Sequence, residues 1–225
     1  MKRATLMIGL TTLMLTGCSW EMVETERIQN VHKAEAATLP ATEYVPPYYK
    51  GYPLNPQVTD DRLLLQPGGT VLDERGEAEL LRIGNRDKRI TAGPAQVTVR
   101  EAKLFHYYPD SSFTDFYHLY TEETDFPVAK LFVEVTNTGN VPIQFEPVAV
   151  LETDTGESKL WKDDIYLENL AGNLGPGETK KGSVGFILED DAADRLIIRT
   201  SEVFDGNGKT LSGGSEVEVL LDEGK

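Results

Sequence analysis

The chain has 225 residues, 40% of them hydrophobic and 26% charged, with a formal net charge of −15 and a single cysteine. That length suits one large or two small domains, and the apolar fraction is too high for a fully disordered chain. The acidity argues against nucleic acid and anionic lipid as electrostatic partners, and one cysteine excludes an internal disulfide framework or a multi-cysteine zinc site.

In chain order, Lys2 and Arg3 give a positive start, and an uncharged, mostly apolar run extends from Ala4 to Thr16. The run is shorter than the roughly 20 residues a permanent membrane span requires, so it reads as a secretory signal peptide over residues 1–17. It ends in Leu15-Thr16-Gly17-Cys18. This quartet resembles the lipobox of bacterial lipoproteins: an aliphatic residue, two small ones, then cysteine. The resemblance implies that the Cys18 thiol takes a diacylglyceryl group and becomes the first residue after cleavage. The alternative is a plain signal peptide that happens to carry a cysteine. Two acyl chains suffice for stable anchoring, which gives an expected location on the extracytoplasmic face of the cell membrane.

Residues 18–60 read as a flexible tether. Glu21 to Ala37 has mild helical character without a clean apolar stripe, and five prolines between positions 40 and 56 forbid a regular helix or central strand. Extended, polyproline-like geometry is expected there. Tyr44, Tyr48, Tyr49 and Tyr52 have two readings: a sticky linker that packs on its own domain, or a peptide that docks on a partner.

From Asp61 to the end the texture is short strands with turn signals. Glu79–Ile83 and Lys88–Thr91 flank a turn and are expected to form a hairpin, with 61–94 as an N-terminal hairpin extension. Strands are expected over Gln96–Phe105, Val128–Thr136, Ile143–Leu151, Val184–Leu188, Leu196–Arg199 and Val217–Leu221, with Pro147 marking a bulge or edge. In Val128–Thr136, Leu131, Val133 and Val135 share one face while Lys130, Glu134 and Thr136 share the other. Reversals are expected at 137–140, 154–156, 175–177 and 205–208, where glycine and asparagine tolerate positive φ. Many strands and no long helix predict an all-β protein, an antiparallel β-sandwich.

Two segments carry a second resemblance. Val133-Glu134-Val135-Thr136-Asn137-Thr138-Gly139-Asn140-Val141-Pro142-Ile143, and Leu174-Gly175-Pro176-Gly177-Glu178 leading into Gly182-Ser183-Val184-Gly185-Phe186, resemble an immunoglobulin-like domain of unknown function common in secreted bacterial lipoproteins. Some members of that family carry a misleading telomeric repeat-binding label. The resemblance covers roughly residues 80 to 221; it implies an immunoglobulin-like fold at the envelope and supplies no catalytic residues.

Catalytic signatures are absent from the sequence: there is no Gly-x-Ser-x-Gly elbow and no phosphate-cradling glycine loop. His106 and His118, with Asp110 and Asp115 between them, allow a zinc site arithmetically, but without the tight spacing such sites use. Asp205-Gly206-Asn207-Gly208 starts like a calcium loop with Glu216 at its twelfth position, but no specific calcium site is expected there. No cofactor is expected beyond the lipid on Cys18. The one unusual surface candidate is aromatic: Phe105, Tyr107, Tyr108, Phe113, Phe116, Tyr117 and Tyr120 fall within sixteen positions. They either cap the core or, with Tyr107, Tyr108, Phe113, Phe116, Tyr117 and Tyr120 as the contact set, bind a partner. The expectation is a non-catalytic binding or structural module of the bacterial envelope, its partner an unidentified envelope protein or cell-wall component. The alternatives are an accessory or ligand-capturing lipoprotein of a membrane machine, and a carboxylate-dependent hydrolase.

Overall fold

A computed structural model describes residues 44–84 and 87–223. The signal peptide, Cys18 and the first part of the tether lie outside the described residues. Within them the protein is all-β, and every strand pairing is antiparallel. In chain order the strands are β1 (Thr70–Asp73), β2 (Gly76–Gly84), β3 (Lys88–Ala92), β4 (Ala95–Pro109), β5 (Phe126–Asn137), β6 (Ile143–Phe145), β7 (Val150–Thr153), β8 (Ser158–Leu160), β9 (Gly172–Leu174), β10 (Thr179–Ile187), β11 (Arg195–Arg199), β12 (Val203–Asp205), β13 (Thr210–Ser212) and β14 (Glu216–Asp222). The large sheet runs β10-β5-β4-β2-β14-β11-β7-β8, with β1 beside β2 and β3 beside β4; the smaller runs β13-β12-β6-β9.

The hairpin expected between Glu79–Ile83 and Lys88–Thr91 does not form. β4 is 15 residues long, and β2 and β3 share its edge end to end: Lys88 to Ala92 pair with Val99 to Ala95, while Gly76 to Ile83 pair with Pro109 to Lys103. β1, β2 and β3 are therefore part of the large sheet rather than an extension of it. β3 turns instead into β4 through Gly93, whose φ of 53° suits glycine.

The run expected as one strand over Ile143–Leu151 breaks into two. Pro147 has no N–H to give a ladder, and at Glu146–Ala149 the chain leaves the small sheet at β6 and enters the large one at β7. The four expected reversals all fall between consecutive strands, and those at 154–156 and 205–208 join strands that pair with each other, β7 with β8 and β12 with β13.

β4 and β5 form the spine, and both of their faces are buried. One face carries Val97, Val99, Ala102 and Leu104 of β4 with Ala129, Leu131, Val133 and Val135 of β5, packed with Phe145, Leu151, Leu174, Phe186, Leu196 and Val219. On the other, Phe105 and Tyr107 join Val58, Leu64, Leu80, Tyr117, Phe126, Ile165 and Tyr166.

The segment 44–60, expected as the end of a flexible tether, packs on that second face. A single turn of 3-10 helix at Pro47–Tyr49 follows Pro46, whose neighbour Pro47 opens the turn at a position that needs no N–H. Tyr49 is 2% exposed. Its ring centroid lies 4.4 Å from that of Phe132 and 4.8 Å from that of Tyr48. Tyr52 meets Phe132 edge to face at 4.9 Å. Of the two readings of the tether tyrosines, the intramolecular one describes Tyr48, Tyr49 and Tyr52, while Tyr44 is exposed. Four prolines, at positions 46, 47, 53 and 56, keep this strap extended, so it crosses the sheet without joining it.

Candidate functional site

The strap covers a group of charges. Residues alternate along a strand, so Glu101 and Lys103 point to the same face of β4 as Phe105, and Lys130 shares its face of β5 with Phe132. The register sets Lys103 directly opposite Lys130. Two like charges so placed repel. Asp61, which directly follows the strap segment 44–60, answers: its carboxylate accepts from Lys103 Nζ at 2.9 Å and from Lys130 Nζ at 2.8 and 2.9 Å. Glu101 completes a neutral quartet at 3.0 Å from Lys103 and 3.1 Å from Lys130. Glu101, Lys103 and Lys130 are fully buried and Asp61 is 4% exposed.

Hydroxyls close the remaining valences: Tyr49 donates to Glu101 at 2.6 Å and Tyr48 at 2.8 Å, and Lys130 donates to Tyr49 Oη at 2.5 Å. Burial alone would raise both carboxyl groups. Lys103 and Lys130 overcome it and hold Asp61 well below the usual carboxylate range, with Glu101 lowered in the same way. Burial likewise pushes the Tyr49 hydroxyl far up, with Asp61 and Glu101 adding to the shift. Each charge is matched and bonded inside the fold, so the quartet joins strap to sheet and offers no free group for chemistry.

The strap also reaches the loop between β8 and β9. Asn55 Nδ2 donates to the Tyr166 carbonyl at 2.9 Å and to Glu168 at 2.8 Å, and the Tyr52 hydroxyl donates to Glu168. From the other side Glu168 accepts the Ser183 N–H at 2.9 Å. Asp164 accepts the N–H groups of Tyr166 (3.0 Å), Leu167 (3.2 Å) and Gly185 (2.9 Å). Burial nevertheless pushes the Asp164 carboxyl up to about 6. The loop so held carries two non-glycine residues in the left-handed region, Leu167 and Asn169, both at φ 55°. Such conformations persist only where the surroundings impose them.

Beside this loop lies a cleft of about 310 Å³. Val148, Leu170 and Val184 form buried apolar surface, and Trp161, Lys162, Glu146 and Asn169 bring polar groups. Its size and mixed lining match small-molecule sites. None of these four was singled out in the sequence. The readable hints were Pro147, which breaks the strand at the cleft, and Trp161, which follows a strand end.

The aromatic segment 105–120 is mostly core. Phe105, Tyr107 and Tyr117 are at most 1% exposed. The Tyr107 hydroxyl donates to the Arg75 carbonyl and that of Tyr117 to the Gln57 carbonyl of the strap, both at 2.9 Å. Phe113, Phe116 and Tyr120 pack half-buried on the same cluster. Tyr107 and Tyr117 thus correct the expectation of a contact face: their rings and hydroxyls are already used inside the fold. Tyr108 is exposed and stacks beside His106 at 4.7 Å. Tyr117→Ala should destabilise the protein by about 3–5 kcal/mol, read from the midpoint of urea unfolding at unchanged slope. A midpoint equal to wild type would return Tyr117 to the surface.

Of the histidines and aspartates that allow a zinc site only arithmetically, His106 and Asp110 are spent on other contacts. His106 Nε2 pairs with Asp125 at 2.8 Å, Asp110 caps the N–H of Ser112, and His118 is exposed. In the 205–208 turn Asp205 accepts the N–H groups of Asn207 and Lys209 and so closes its own hairpin. Among the described residues no group of three or more His, Cys, Asp or Glu side chains is placed to hold a metal.

Fold and site together define an antiparallel all-β protein with an N-terminal strap locked to its sheet. The chain is 35% identical over 233 residues to the uncharacterized protein YdhF of Bacillus subtilis (strain 168), across 96% of this chain and 99% of that one, and it belongs to the same family. No family model matches it. Among solved structures, a functionally unknown protein of Listeria monocytogenes EGD-e aligns with a TM-score of 0.48 at 14% identity, covering 67% of this chain and 89% of that one. A conserved hypothetical protein of Bacillus anthracis aligns with a TM-score of 0.33 at 12% identity, covering 57% and 93%.

Proposed function

We propose that the protein is a lipid-anchored module on the extracytoplasmic face of the cell membrane that binds rather than catalyses. The observation that carries this is Leu15-Thr16-Gly17-Cys18 after a short apolar run: the chain's single cysteine stands at the one place lipidation needs it. An immunoglobulin-like body would present its loops and clefts to the envelope from that anchor. The acidity of the chain supports lipid rather than charge as the means of attachment. The occupant is a small envelope component or an exposed part of a neighbouring protein. The internal pairing of the buried quartet favours binding over the hydrolase reading, because its carboxylates are spent on lysines.

Cys18→Ala tests the anchor. The wild-type protein should sediment with membranes and incorporate labelled palmitate, and the variant should lose the label and move to the soluble fraction. Equal membrane retention of both forms would refute the anchor.

A further inference from the structure

The cleft beside Trp161 has the chemistry of a ligand site. Its apolar part is fixed by β10 through Val184 and by Val148 after the strand break. Its rim is fixed by the 3-10 turn Trp161–Asp163, where Trp161 N–H donates to the Ala149 carbonyl at 3.1 Å and Asp163 accepts the Leu160 N–H at 3.0 Å. The opposite wall is the loop held by Asp164 and by the strap. The walls are therefore braced before any ligand arrives, which reduces the ordering cost of binding.

The groups on those walls are uncommitted. The carboxyl of Glu146, the ammonium of Lys162, the carboxamide of Asn169 and the indole N–H of Trp161 make no hydrogen bond or ion pair to other described residues. Trp161 is 49% exposed and stacks on no other described ring. Leu167, on the same rim, is also 49% exposed while held at positive φ. An exposed indole and an exposed leucine on a strained, braced loop gain nothing for folding in those positions.

The lining discriminates among ligands. A purely apolar ligand would leave the Glu146 carboxyl and Asn169 carboxamide dry and unpaired, which costs about 1–3 kcal/mol for each group. An anion would meet Glu146 and the field of a protein with net charge −15. A sugar ring satisfies both kinds of surface. Its C–H face covers an indole, and its hydroxyls donate to carboxyl and carbonyl oxygens and accept from N–H groups. The volume stands at the low end of small-molecule pockets, which begin at about 300 Å³, so it suits one or two rings. We propose that the cleft formed by Trp161, Glu146, Asn169 and Lys162 binds a neutral saccharide of one or two pyranose rings. This rests on the reading of the protein as an envelope binding module and names the class of its ligand.

The test uses the detergent-solubilised full chain and saturation-transfer NMR, with diacetylchitobiose, cellobiose and maltose as saccharide probes and spermidine as a cationic one. At least one saccharide should show saturable transfer to its ring protons, and Trp161→Ala and Asn169→Ala should each weaken it by about tenfold. Trp161 is exposed, so Trp161→Ala should keep the wild-type unfolding midpoint, whereas Asn169→Ala, at φ 55°, should lower it slightly and remain folded. Three results would overturn the proposal: no saccharide transfer from folded wild-type protein, transfer that survives Trp161→Ala, or binding of spermidine alone. Palmitate labelling of the same preparation reads the anchor separately, so a lipidated protein without saccharide binding would refute the ligand class and leave the anchor standing.

Discussion

Asp61→Asn should lower the stability of the protein by about 3–5 kcal/mol, the usual consequence of removing one partner from a buried ion pair. The substitution keeps the shape of the side chain but removes the negative charge that stands between Lys103 and Lys130. Glu101 alone then faces two buried ammonium groups. The check is urea unfolding at neutral pH. Lys103→Met combined with Asp61→Asn restores neutrality and should recover part of the loss, with a coupling well outside simple addition of the two single effects. If residues up to 60 were a detached tether and Asp61 its exposed end, the change would stay within about 0.5 kcal/mol, as for ordinary surface positions.

The quartet also fixes the direction of the pH response. Asp61 and Glu101 have lower pKa values in the fold than in the unfolded chain. Their contribution is therefore complete above the unfolded carboxyl range near 4, and it is lost as pH falls through the folded values. Wild-type stability should fall steeply below about pH 4, and Asp61→Asn should flatten that fall.

Tyr49→Ala is the second large effect. The ring fills space against Phe132, Tyr48 and Tyr52, and the hydroxyl both donates to Glu101 and accepts from Lys130. Truncation removes buried aromatic surface and leaves two charged groups each short of a partner, for an expected loss of about 3–5 kcal/mol or more. Tyr49→Phe separates the parts: it keeps the packing and should cost about 1–3 kcal/mol for the unpaired groups. Thermal unfolding of the two variants beside wild type gives the ranking. An alanine variant as stable as wild type would mean that the strap contributes nothing to the fold.

Much of the β architecture was readable because it is local. Alternation in Val128–Thr136 and Gln96–Phe105, and glycine or asparagine at the four reversals, depend only on neighbours along the chain. The order of strands was not readable, since β14 pairs with β2 across more than a hundred residues and nothing local encodes that choice. The same limit hid the quartet. Lys130 alternates with Ala129 and Leu131, a pattern that ordinarily places lysine in water. Only the strap, some 70 residues earlier, turns that face into interior. The proline run that argued for a tether also built the strap, because extended chain can cross a sheet as readily as it can span solvent. The crowding of Tyr48, Tyr49 and Tyr52 was the signal that distinguished the two, since rings of that size seek burial. At the cleft, the break at Pro147 was legible, but Leu167 and Asn169 take positive φ in a loop that Asp164 and Glu168 tie to β10, a contact no local pattern encodes.

The central structural claim is that the strap belongs to the folded body, and amide hydrogen exchange measures it directly. The N–H groups of Tyr49, Tyr52 and Val58 are bonded to Pro46 O, Tyr49 O and Asn55 Oδ1 at 3.0, 2.9 and 3.1 Å, beneath or beside buried side chains. They should exchange only through openings close in free energy to global unfolding, as the amides of β4 and β5 do. Exchange of these three at the rate of free peptide, with β4 and β5 still protected, would show a strap that is not part of the body.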